Sequence, residues 1–304
     1  MNSMDVAVRR PKGLRYFWRK IGRPYAFLAP FLILLFIFTI LPIFVAMGMS
    51  LTYDNVIEES VFIGLENYKN LFVDDEVFMT ALTNTLYFAA IVGPVGFLAS
   101  FFFAWVLNKF RHNTAFALAF YAPSLCSGVA MSQVWLWFFA SDKYGLINYV
   151  LMNMGIITEP IYWNQDAQYI LPTVMIISVW MSMGTGFLVF MAGLKNVPQA
   201  LYEAAAIDGL RYNWQELWYI TLPVMKPQLL FAAINSVTTA FSVFEVATAV
   251  AGMPSPNYAG HTIVAHLYDH AFLRYEMGYA SAVAVVLFVI TFALGRICMR
   301  VFRS

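Results

Sequence analysis

The stretch Lys195-Asn196-Val197-Pro198-Gln199-Ala200-Leu201-Tyr202-Glu203-Ala204-Ala205-Ala206-Ile207-Asp208-Gly209 lies between two long apolar runs. Pro198 suits a first helical turn, because its missing N–H is one that a helix start leaves unpaired anyway. Leu201, Ala204, Ala205 and Ile207 give the short helix that follows one apolar side. Gly209 is expected where that helix stops, at a position needing a left-handed residue. A second short helix is expected over 213–220, capped by Asn213. Pro223 and Pro227 bracket entry into the next apolar run, where a missing N–H is tolerated. The segment 195–228 thus reads as a helix–turn–helix at the rim of something apolar. From the residues alone it is either a docking element, whose small side chains admit a close partner, or an amphipathic hairpin lying on a surface without one.

The apolar runs on either side belong to a series. Of the 304 residues, 61% are hydrophobic and 12% charged, against about 25% charged in an ordinary soluble domain. The charges cluster, and the gaps between clusters reach the roughly 20 residues that a helix needs to cross about 30 Å of hydrocarbon. Six spans are expected, over about 25–49, 82–107, 116–140, 170–194, 229–250 and 277–295, the fifth interrupted late by Glu245. These runs lack the polar face of helices buried in a soluble protein. The fold class is therefore all-α and polytopic, with six transmembrane helices. No internal repeat, low-complexity tract or soluble domain interrupts it. The first 23 residues hold seven basic side chains, as a signal peptide might, and Ala46-Met47-Gly48 resembles a weak cleavage site. The uncharged stretch after them is far longer than a signal core, so it reads as a retained anchor.

Basic residues orient the spans. With the N-terminus inside, 15 of the 18 Lys and Arg fall in cytoplasmic segments, leaving Lys69, Lys143 and Arg274 outside. Both termini are then cytoplasmic, which an even number of spans satisfies. Residues 1–24 form a basic cytoplasmic segment and 25–304 the transmembrane domain, with a core over about 80–297. The first outer loop is acidic, holding Asp54, Glu58, Glu59, Glu66, Asp74, Asp75 and Glu76.

Glu203-Ala204-Ala205, then Asp208-Gly209, then Ile220-Thr221-Leu222-Pro223 resembles the EAA loop of permease subunits of binding-protein-dependent ABC importers. The resemblance runs through Phe62-Ile63-Gly64-Leu65-Glu66-Asn67-Tyr68, Asn84-Thr85-Leu86, Pro123, Ser127, Trp135, Gly145-Leu146-Ile147-Asn148, Trp180, Ala192-Gly193-Leu194 and Met277-Gly278-Tyr279-Ala280-Ser281-Ala282. It is similar to the compact branch that serves sugars and glycerol phosphate. One stretch departs from it: a Thr-x-Gly-Gly-Pro segment common after span five is replaced by Val250-Ala251-Gly252-Met253-Pro254-Ser255-Pro256-Asn257.

The resemblance implies the permease fold of type I importers and a location in a bacterial or archaeal plasma membrane. It implies a second, similar permease subunit, by the habit of this branch a distinct chain, together with two ATPase subunits and an extracytoplasmic solute-binding protein. Glu203, Ala204, Ala205, Asp208, Gly209, Leu222 and Pro223 would form the ATPase-coupling loop. This chain is expected to bind no cofactor: it lacks a phosphate-binding Gly-x-x-x-x-Gly-Lys-Ser/Thr motif, so ATP and Mg²⁺ belong to the partner ATPases. It is read as a non-catalytic transport subunit for a carbohydrate, with glycerol 3-phosphate or another polyol as the alternative. A secondary transporter or channel would fit the hydropathy, but neither an inverted repeat nor an intramembrane ion relay is visible.

Polar groups inside spans are costly in lipid, so Asn84, Gln133, Ser182, Asn235 and Glu245 are candidates for the substrate path. Asn, Gln and Ser equally serve as glue between helices. Trp180, Trp135 and Tyr87 offer rings on which a sugar could stack. Of the four histidines, His266 and His270 would share a helical face and offer two metal ligands. Asp269, the near acid, falls off that face and no cysteine is near. The expectation there is surface histidines and no metal site.

Overall fold

The computed structural model describes residues 23–110, 118, 120–122 and 124–303. Most of the basic N-terminal segment and the start of the expected third span lie outside these. Among the described residues the chain is α-helical apart from one antiparallel ribbon, β1 (Thr52–Tyr53) with β2 (Val61–Phe62), in the loop after the first span.

Among the described residues, five helices are long and apolar enough to cross a membrane: Tyr25–Met49, Glu76–Asn108, Ala167–Lys195, Lys226–Ala251 and Met277–Val301. The first comprises α1 (Arg23–Leu35) and α2 (Leu41–Met49), joined by a π-helical segment, Phe36–Ile40. Pro42 cannot donate to the preceding turn, and the Leu41 amide reaches back to the Phe36 carbonyl instead. Next come α3 (Glu76–Asn108), α4 (Gly128–Phe138), α5 (Leu146–Asn153), α6 (Ala167–Lys195), α7 (Gln199–Ile207) and α8 (Asn213–Glu216). The remainder are α9 (Lys226–Phe241), α10 (Glu245–Ala251), α11 (Ile263–Tyr268) and α12 (Met277–Arg303).

The six expected spans are thus five among the described residues. The third is interrupted: residues 118, 120–122, 124 and 125 are helical, the helix breaks at Cys126 and Ser127, and α4 follows with 11 residues that rise about 16 Å, short of the hydrocarbon thickness alone. Ser127 ends the preceding turn and caps α4, its hydroxyl accepting from the Ala130 amide.

Helices α3 and α6 pack together along much of their length, and α9 lies against α3, α6 and α12. One apolar cluster, around Phe88, Val92, Ile177 and Phe241, occupies the α4–α10 half of the bundle. A second joins Phe187, Phe190 and Met191 of α6 to Ala205 and Ile220 of the hairpin, seating segment 195–228 on the helix ends. The α1–α2 span is different: no residue from Tyr25 to Met49 is buried within the chain. It touches the bundle where α2 meets α12.

The fifth span departs most from expectation. The sequence reads as one helix with a late acidic interruption. In the structure α9 ends at Phe241, and Glu245 opens a separate helix, α10. Phe244 between them is far from helical (φ −140°, ψ −63°). The local sequence Thr238-Thr239-Ala240-Phe241-Ser242 favours this, because hydroxyl side chains compete for backbone groups. Thr238, Thr239 and Ser242 each donate to a carbonyl one turn back. The Val243 carbonyl at the break is satisfied from elsewhere, by the Thr262 hydroxyl at 3.0 Å.

Candidate functional site

The helix break opens a cavity of about 470 Å³. Its polar lining comes from Ser178 and Ser182 of α6, Ser236 and Thr239 of α9, Ser242 at the break and Glu245 at the start of α10. Irregular backbone at membrane depth is tolerated where it lines such a space rather than facing lipid. A narrow recess of about 20 Å³ shares Ser182, Ser236 and Thr239 with the cavity and adds Asn235 and Ser100. Together they form a polar seam between α6 and α9. Among the described residues, neither space is lined by Lys or Arg.

Four of the seam's hydroxyls already use their protons, whereas the buried Ser178 hydroxyl in the cavity wall makes no hydrogen bond. Ser182 donates to the Val179 carbonyl at 2.8 Å, Ser236 to Gly93 at 2.8 Å, Thr239 to Asn235 at 2.9 Å and Ser242 to Thr238 at 2.9 Å. A hydroxyl has one donor and two acceptor lone pairs, so acceptors face the space. Glu245 adds a carboxylate. It is exposed in the isolated chain and lies against Gly128, the first residue of α4. A Cβ on Gly128 would collide with Glu245 Oε2, so glycine is what lets the carboxylate approach the helix start. An anion near a helix N-terminus is favoured by the exposed amides and the macrodipole.

Of the substrate-path candidates, Ser182, Asn235 and Glu245 meet in this seam. The other three lie elsewhere. Asn84 donates to the carbonyls of Tyr258 and His261 at 2.9 and 3.0 Å, tying α3 to the loop before α11. Trp180 meets Trp135 edge-on at 5.2 Å and holds α6 to α4. Gln133 is exposed on the outside of α4. Ser236, Thr239 and Ser242 were passed over in the sequence; the hydroxyl run just before Glu245 was the available signal.

The hairpin forms as read, with one change of cap. At the end of α7 the Leu210 amide donates to the Ala205 carbonyl at 2.9 Å and the Gly209 amide to Ala206 at 3.3 Å. This 6→1 and 5→2 pair, around a Gly209 with φ +96°, is the Schellman termination. The second helix is capped by Tyr212, not Asn213. Gln215 Oε1 accepts from the Arg211 and Tyr212 amides at 3.2 and 3.3 Å, fixing the turn one residue earlier. Ala205 is buried, and Tyr202 bonds the Thr221 hydroxyl at 2.9 Å, closing the hairpin on itself. The expected single apolar side is divided. Glu203, Ala204, Asp208, Gly209 and Pro223 are exposed, Leu222 is half-buried, and Leu201 and Ile207 face outward. Trp214, Trp218 and Tyr219 extend this uncovered surface, each more than half exposed.

A third polar cluster lies far from the hairpin. His261, His266 and His270 are buried, contrary to the surface position expected. Asp269, the expected acid, pairs with Arg274 at 2.8 Å. The carboxylates beside the histidines are Asp75, from the start of α3, and Glu276, before α12.

No protein-family model matches the chain. It is 34% identical over 283 residues to a probable ABC transporter permease protein, YesP, of Bacillus subtilis, covering 92% of this chain and 89% of that protein. It is 31% identical over 293 residues to the arabinooligosaccharides transport system permease protein AraP of the same organism, covering 95% and 91%. Its fold is similar to that of a chain in the crystal structure of a bacterial ABC transporter that imports the acidic polysaccharide alginate. There the TM-score is 0.79 at 22% identity, covering 95% of this chain and 98% of that one. With its helical membrane bundle and its coverage of these relatives nearly end to end, the chain belongs to the permease subunits of ABC importers, a family of non-catalytic, multi-pass membrane proteins.

Proposed function

We propose that this chain forms one half of the membrane pathway of a type I ABC importer that takes up a neutral carbohydrate. In this reading it has six spans, residues around 116–140 completing the third, with both termini and segment 195–228 on the cytoplasmic side. The bias of basic residues toward those segments supports the orientation. A second, similar permease subunit would complete the cavity around the exposed Glu245 and Asn235. Of the two ATPase subunits, one would dock on the exposed face of this hairpin, through Glu203, Ala204, Asp208, Gly209, Leu222 and Pro223, with Ala205 as its inner anchor, and the other on the partner permease. A solute-binding protein would deliver the substrate at the opposite face.

The observation that carries the substrate reading is the acceptor-rich, cation-free seam. Four hydroxyls that have spent their protons, and one carboxylate, suit a ligand rich in O–H donors. A phosphate ester would bring anionic oxygens against Glu245, whose carboxylate already occupies the start of α4, and among the described residues no Lys or Arg lines the cavity to receive it. The name of the arabinooligosaccharide relative points the same way. The test is a calorimetric screen of the cognate binding protein against neutral sugars, uronic acids and sugar phosphates. A neutral mono- or oligosaccharide should bind tightly. A response confined to phosphorylated ligands would reverse the assignment toward glycerol 3-phosphate or a similar polyol phosphate.

A further inference from the structure

We infer that Asp75, His266 and His270 form a binding site for a first-row divalent cation, best suited to Zn²⁺, that clips the start of α3 to the segment preceding α12. The site is independent of the transport reading and lies outside the seam and the hairpin.

One potential ligand atom from each of the three residues lies within 4.8 Å of the others. His266 Nε2 is 3.2 Å from Asp75 Oδ2. Two ligands of a tetrahedral zinc at about 2.0–2.1 Å stand roughly 3.3 Å apart, so this pair already has ligand spacing. Neither His266 ring nitrogen has a well-formed hydrogen bond, although the residue is 1% exposed. His270 is 5% exposed. Its Nδ1 is 2.6 Å from Glu276 Oε2. An ionised carboxylate only accepts, so the proton sits on Nδ1 and the lone pair on Nε2, which is buried and unpartnered. This carboxylate–imidazole arrangement is the one that orients metal-ligating histidines.

Asp75 is held just as firmly. Its Oδ1 caps α3 by accepting from the Phe78 amide at 2.8 Å, and its Oδ2 accepts from the Tyr279 hydroxyl at 2.5 Å. Burial alone would raise its pKa. The neighbouring His266, the Tyr279 hydroxyl and the Phe78 amide outweigh that and hold the carboxyl well below the usual range. Asp75, His270 and Glu276 also line an open cavity of about 770 Å³ with Asp54, Asp74 and Glu76, facing a single Arg274. That acidic vestibule gives a cation a route in and a water a place at the open fourth position. Two imidazoles and a carboxylate favour zinc and its transition-metal neighbours over the oxygen-seeking Ca²⁺ and Mg²⁺.

The test uses the assembled transporter, purified without a polyhistidine tag and stripped with chelator. Titration with Co²⁺ should produce the visible ligand-field bands of a nitrogen- and oxygen-ligated site, saturating at one ion per chain and displaced by Zn²⁺. His266→Gln and His270→Gln should abolish the bands. Glu276→Gln, which leaves the ligands intact, should weaken binding by roughly 10–100-fold. Zn²⁺ should raise the melting temperature of the stripped wild-type complex and not of the ligand variants. Should a variant fail to assemble, the wild-type titration alone decides. Absence of a saturable Co²⁺ spectrum in the stripped wild type, or bands that persist in a well-folded His266→Gln, would overturn the site.

Discussion

The carboxylate of Glu245 rests against Gly128, with no room for a methyl group between them. The two residues begin the neighbouring helices α10 and α4, and both line the cavity. A side chain on Gly128 must push Glu245 aside. Gly128→Ala should therefore reduce uptake in reconstituted vesicles by about tenfold, the equivalent of about 1.4 kcal/mol, while the complex still assembles. Glu245→Gln keeps the shape and removes the charge, and should raise the half-saturating concentration more than it lowers the maximal rate. Wild-type uptake by Gly128→Ala would show that the cavity lies off the substrate's route.

A different glycine governs the hairpin. Nothing lies within 4 Å of where a Cβ on Gly209 would be, so any effect of substitution there is conformational and not a clash. At φ +96° a β-branched residue is strained by at least about 1–2 kcal/mol. Gly209→Val should lower uptake while leaving ATP hydrolysis running, and Gly209→Asn, which tolerates such backbone better, should be milder. Equal uptake and hydrolysis in wild type and Gly209→Val would dispose of a rigid turn as the link between them.

Stability should depend heavily on Asn148. This fully buried amide donates to the carbonyls of Ala140, Asp142 and Ile161 and accepts from the Ile161 amide and the Trp163 indole. Asn148→Ala strands several of these at about 1–3 kcal/mol each. The melting temperature of the purified complex should fall clearly. Asn148→Asp should not restore it, since a carboxylate cannot donate. An unchanged melting temperature would mean that water replaces the amide without loss.

These residues also mark how far the sequence could be read. Spans starting near Glu76, Ala167 and Met277 were legible within a few residues, because lipid demands uninterrupted apolar runs and charges bound them. Gly209 was legible because a helix stop has a local signature. The break after Phe241 was not: it has no Pro or Gly, and its freed carbonyl is satisfied by Thr262, a residue from another element. The contacts of Asn84 were not legible for the same reason, since its partners are backbone carbonyls of Tyr258 and His261. The histidines looked like surface residues because the nearest acid in sequence is Asp269, whereas the carboxylate that meets them in space is Asp75.

Topology can be checked residue by residue. Reporter fusions at Asp75, Arg111, Asp166, Arg211 and Asp269 should alternate outside, inside, outside, inside, outside. A cytoplasmic signal at Asp75 would invert the arrangement and detach segment 195–228 from the ATPase side.

In the proposed function, a separate ATPase drives this chain through segment 195–228. The direct measurement is uptake of labelled substrate into proteoliposomes containing this chain and its permease, ATPase and binding-protein partners. Uptake should require ATP and the binding protein, persist when ion gradients are collapsed, and be lost when Glu203→Lys reverses the charge on the exposed face of α7. Uptake by vesicles that lack any ATPase, or uptake driven by an ion gradient without ATP, would contradict it.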